Sequence, residues 1–87
     1  MSKRNDEILS EVFSAAGRFI LEGGEPPSLS GDPEQVRAIR RATLASRRFY
    51  EALCNETATI DAVNVMMEER RCAASEFKRV LGSDWRF

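Results

Sequence analysis

Three stretches of this 87-residue chain repeat apolar residues at the roughly 3.6-residue spacing of a helix, and none alternates them as a strand does. Two breaks separate the stretches. The first is Gly23-Gly24-Glu25-Pro26-Pro27-Ser28-Leu29-Ser30-Gly31-Asp32-Pro33, dense in residues that stop helices and make turns. The second is the short polar step Asn55-Glu56-Thr57. With no internal repeat, this pattern points to an all-α fold.

The first helix is expected over residues 6–22, with Asn5 as its cap and Asp6 and Glu7 at the positive end of the dipole. Gly23 and Gly24 supply the left-handed stop. Ile8, Leu9, Val12, Phe13, Ala16, Phe19 and Ile20 share one broad face, wide enough to touch two neighbours. The second helix has the clearest start, Asp32 as cap and Pro33 as first helical residue, where a missing amide hydrogen costs nothing. It is expected over 33–54, with Val36, Ile39, Ala42, Phe49, Tyr50 and Leu53 in one half of the wheel. The third, expected over 58–81, starts near Thr57 or Thr59 and stops at Gly82. Its stripe is Ile60, Val63, Met66, Met67, Ala73, Ala74, Phe77 and Leu81.

A turn this short between the second and third helices implies an antiparallel hairpin. The loop 23–32 lets the first helix fold back on it, and residues 82–87 form a C-terminal tail. The expectation is one domain over 1–87: a three-helix bundle, or a helical hairpin plus an N-terminal helix. A chain of this size buries a modest fraction of its surface, and self-association is a natural remedy, so a homodimer is expected.

Composition narrows function mainly by exclusion. Apolar residues make up 43% and charged residues 31%, which is globular rather than disordered. The net charge of −1 gives no overall pull toward nucleic acid or anionic lipid. Histidine is absent, which removes the commonest general base and the commonest metal ligand. Cys54 and Cys72 are too few for a disulfide framework or a zinc site. No phosphate cradle or paired nucleophile and base occurs, so no enzyme, cofactor or small-molecule substrate is expected. No apolar stretch approaches membrane-spanning length and no signal peptide opens the chain, so the expected place is the cytoplasm, of a host or of a virus-infected cell.

Two groups of residues stand out. Arg37, Arg40, Arg41, Arg47 and Arg48 lie opposite the apolar stripe of the second helix, interrupted by Leu44 and Glu51. Five arginines against Glu34 and Glu51 leave that helix at +3. Planar guanidinium forks suit phosphate and carboxylate, so this face could grip nucleic acid or an acidic partner, or be neutralised by neighbouring acids. The other group is a set of candidate protein contacts. Arg70 falls inside the third stripe, where a charge needs a partner or a path to water. Met66 and Met67 offer thioethers that repack around varied surfaces. Trp85 and Phe87 flank Arg86 in a tail rich in hot-spot residue types, unless the two rings fold back to cap the bundle. The expected function is protein–protein interaction, as an adaptor, inhibitor or regulatory subunit. A nucleic-acid-binding regulator using the arginine face comes second, and a structural subunit of a larger assembly third.

Overall fold

The computed structural model describes residues 5–29 and 31–87, with side chains from Leu9 onward. It contains three α-helices, α1 (Asn5–Glu22), α2 (Pro33–Cys54) and α3 (Ile60–Leu81), with no strand among the described residues. The side chains of Asn5, Asp6, Glu7 and Ile8, expected to cap α1 or join its apolar face, lie outside the described residues. Asn5, the first described residue, is already helical rather than the cap expected of it.

The other termini follow from local chemistry. The Asp32 carboxylate accepts the amide of Glu34 at 2.8 Å, with Pro33 in the first turn. Asn55 holds the turn by accepting both the amide and the hydroxyl of Thr57, at 3.0 and 2.8 Å. That leaves Thr59 to cap α3 through Ala62, so the helix begins two residues later than expected. Gly82, at φ 74°, ends α3 with its amide on the carbonyl of Lys78.

α2 and α3 form the antiparallel hairpin. Glu34 meets Arg79 at 3.6 Å, Arg41 meets Glu76, and Arg48 meets Glu69 at 3.8 Å, so one number falls as the other rises. Ala38, Ala42, Ala45 and Ala73, all buried, let the helices approach closely at this end. The placement of α1 is less expected. Its Ile20 carbonyl meets Arg47, whereas Phe13, two turns earlier, stacks on Phe77 opposite the first half of α2. α1 therefore runs in the same sense as α2. The loop must return along about 21 Å of helix, and a ten-residue extended segment spans it comfortably where a two-residue turn could not. Leu29, in that segment, packs on the core.

The tail supplies a fourth packed piece. Among the described residues the α1 and α3 backbones stay more than 8 Å apart at Cα. Trp85 and Phe87 contribute to filling the gap. The Trp85 ring lies 5.0 Å from Phe77 and 5.6 Å from Phe13, and its indole N–H donates to the buried Ser46 hydroxyl at 2.8 Å. The Phe87 ring rests on Gly17, where a β-carbon would stand 3.0 Å away. The core thus joins Val12, Phe13, Ile39, Ala42, Ala45, Ala73 and Phe77, all toward one end of a molecule 50 × 25 × 18 Å.

Candidate protein-binding surface

The arginine face is partly spoken for inside the molecule. Arg41 and Arg48 reach across to Glu76 and Glu69 of α3. Arg47 turns the other way: its Nη1 donates to the Ile20 carbonyl at 2.6 Å while its Nε bonds Glu51 at 2.7 Å. A cation on the last carbonyls of α1 satisfies orphan acceptors and the negative end of the dipole. Gly23 is favoured there by its φ of 79°, and a β-carbon on it would push the Arg47 guanidinium, 2.9 Å away, aside. Of the five arginines, Arg37 and Arg40 alone have no ion-pair partner among the described residues. A sequence wheel places all five on one arc. It does not reveal that the end of α1 arrives beside Arg47.

The proposed contact residues separate as well. Trp85 points into the core, which removes it from any free tail; its N–H finds Ser46 and its ring finds two phenylalanines. Arg70 is half-buried above the Phe49 ring, 5.2 Å from its centroid, and donates to the Phe87 backbone oxygen at 2.9 Å. Its Nε is buried without a hydrogen-bond partner. Met66 is half-buried, and Met67 and Phe87 are exposed.

These residues belong to a larger feature that their individual reading missed. Beyond the end of α1, the last two turns of α2 and the first three of α3 project as a two-helix arm. From Arg47 to Cys72 no residue is buried. Yet Phe49 and Leu53 continue the core stripe of α2, and Val63 and Met66 that of α3. Leu53 is 58% exposed and Ile60 80%. At the step where α1 stops, Leu21 and Phe87 are also exposed. Among the described residues, five of the six exposed large apolar side chains (Leu21, Leu53, Ile60, Met67 and Phe87) thus border one uncovered face; the sixth, Val65, does not. The sequence shows the stripes of α2 and α3, but only the arrival of the end of α1 beside Arg47 shows where they are left uncovered.

From Phe49 to Glu69 the chain has five carboxylates and no lysine or arginine; Glu51, Glu68 and Glu69 pair with Arg47, Arg71 and Arg48 at the base of the arm, which leaves Glu56 and Asp61 at its tip without an ion pair among the described residues. The whole chain exposes 6274 Å², roughly a fifth above the about 5,200 Å² typical of a folded chain of 9.8 kDa.

On the opposite side of the hairpin an open groove of about 700 Å³ runs between α2 and α3, floored by Leu44, Ala45 and Val65 and edged by Arg41, Arg48 and Glu68. The exposed free thiol of Cys72 also lines it. Elsewhere, Tyr50 has a pKa raised by its hydrogen bond to Cys54 and by that group's charge, with a smaller push from burial, so it stays a neutral phenol at physiological pH. Among the described residues no three Asp, Glu or Cys side chains converge to hold a metal ion, and no helix is long and apolar enough to cross a membrane. Comparison of the chain with protein-family models, with curated proteins and with solved structures gives no match.

Proposed function

We propose that this chain is a non-enzymatic protein that acts by binding another polypeptide through the uncovered face of the α2–α3 arm. The carrying observation is the continuity of the core stripes past the end of α1, with Ile60 80% and Leu53 58% exposed. Contiguous apolar surface rimmed by charge marks an interaction site more often than a solvated face. The half-buried methionine and arginine beside it, Met66 and Arg70, are residue types favoured in adaptable and hot-spot contacts. A photo-cross-linking amino acid at position 60, compared with one at position 37, tests the reading in living cells. Protein adducts from position 60 and few from position 37 support it, and no adduct from position 60 sinks it.

A nucleic-acid role keeps one specific support, the unpartnered Arg37 and Arg40. Anisotropy of labelled duplex DNA and RNA across a salt series addresses it. Binding that falls linearly in log–log with salt and disappears in Arg37→Glu/Arg40→Glu favours that reading over ours.

A further inference from the structure

We propose that the occupant of the arm is a second copy of this chain, packed antiparallel about a twofold axis so that the tip of each arm rests on the step beside α1 of the other. The proposal deepens the binding reading and rests on it.

Three observations carry it. First, the surface is self-complementary in shape: a protruding apolar tip (Leu53, Ile60) and an apolar step (Leu21, Phe87) lie at the two ends of one face. A twofold axis through the middle of that face brings tip onto step twice, which closes the assembly at two copies. The two hairpin arms then make four helices, with each stripe covered by the other's as α1 covers it nearer the core.

Second, the charges select the antiparallel alignment. The tip is acidic, with Glu56 and Asp61 and no cation, whereas Arg70, bonded to the Phe87 backbone oxygen, lies at the step. Side-by-side parallel arms would set acid against acid. Reversal sets the acidic tip of one copy against Arg70 of the other.

Third, the surface that the whole chain carries beyond the ordinary value for its mass is about 1,100 Å², against the about 800 Å² that a stable interface takes from each partner.

Sedimentation velocity over a broad concentration range, at low and moderate salt, gives the first reading. The expected result is a reversible monomer–dimer equilibrium that weakens as salt rises. Leu53→Glu/Ile60→Glu changes only exposed positions; it should raise the dimer Kd about a hundredfold with an unchanged circular dichroism spectrum. Geometry is read separately by oxidation in a Cys54→Ser/Cys72→Ser background. Met66→Cys, near the axis, should form an intermolecular disulfide, and Leu44→Cys, on the opposite face, should not. A strictly monomeric protein, a dimer that survives Leu53→Glu/Ile60→Glu, or preferential cross-linking through Leu44→Cys would each overturn the proposal. The two readings fail differently. A monomer whose position 60 still cross-links to a different protein in cells removes the second copy alone. A monomer with no such adduct removes the binding reading too.

Discussion

The two halves of the α2–α3 hairpin are built on the same pattern and have opposite fates. In the half that includes Ile39, Ala42, Ala73 and Phe77 the stripe is sealed, with Ala42 and Phe77 fully inaccessible. In the half that includes Phe49, Leu53, Ile60 and Met66, the same helices at the same spacing leave every side chain at least partly open. Periodicity sets which way a residue points. Burial is set by what else arrives, and here α1 and the Trp85–Phe87 tail arrive over one half only. The difference between the halves is therefore a difference in coverage, and an external partner can complete it.

The largest effect should come from striking the sealed half. Phe77→Ala removes a fully buried ring that touches Phe13 and Trp85, at a cost of about 3–5 kcal/mol. That is a large share of the ~5–15 kcal/mol available to a domain, and urea unfolding followed by circular dichroism should show the midpoint moved sharply down. Leu53→Ala, on the same face of the hairpin, should shift the same transition by ~0.5 kcal/mol or less in the monomer. Equal losses at the two positions would mean that the arm is covered within the chain, and the contrast between the halves would collapse.

A smaller effect tests whether the tail belongs to the sealed half. Trp85→Phe keeps a ring between Phe13 and Phe77 but deprives the buried Ser46 hydroxyl of its donor. The expected loss is about 1–3 kcal/mol, since an unpartnered buried polar group keeps its desolvation cost. Adding Ser46→Ala to Trp85→Phe should recover much of that loss, because both halves of the pair are then apolar. Double-mutant urea curves measure the recovery, and strict additivity would show that the bond contributes nothing.

The arginines offer the same contrast in electrostatic form. Arg47 is 22% exposed at its side chain and bonds the end of α1, whereas Arg48 is 66% exposed and meets Glu69 only at 3.8 Å. Arg47→Met should cost about 1–2 kcal/mol through orphaned carbonyls, and Arg48→Met ~0.5 kcal/mol or less. The comparison is read from urea midpoints, and a larger loss at Arg48 would reverse the assignment.

What the sequence made legible was local. Asp32 with Pro33, Thr59 and Gly82 each act on backbone groups within four residues, so their roles as caps could be read before any tertiary contact was known. The antiparallel hairpin followed from turn length alone. The sense of α1 did not, because a ten-residue loop permits either direction and the choice is made by Leu29 and Phe13 packing at a distance. The candidate contacts fared likewise. Met66, Met67 and Arg70 were placed on the right stripe by spacing, but which part of that stripe α1 leaves bare depends on where α1 ends in space. Trp85 and Arg47 find partners 39 and 27 residues away, which no local spacing displays.

The smallest expected effect lies at the boundary between the two halves, at Gly17. Alanine in a helix interior is favoured over glycine by about 0.8–1.0 kcal/mol. Against that gain, the new β-carbon stands 3.0 Å from the Phe87 ring, which must move by a few tenths of an ångström. Phe87 is 37% exposed and makes edge contacts to Trp85 and Phe13 at 5.6 and 6.1 Å. A ring open on one side can slide outward and keep most of both contacts. Gly17→Ala should therefore raise stability by ~0.5 kcal/mol or less, while leaving the Trp85 fluorescence maximum where it is. A loss greater than about 1 kcal/mol would mean that Phe87 is held as firmly as Phe77, with two aromatic edge contacts of about 0.5–1.5 kcal/mol each outweighing the helix gain. The sealed half would then extend one turn further along α1, and the step on which a second copy's tip is to rest would be narrower by the width of that ring.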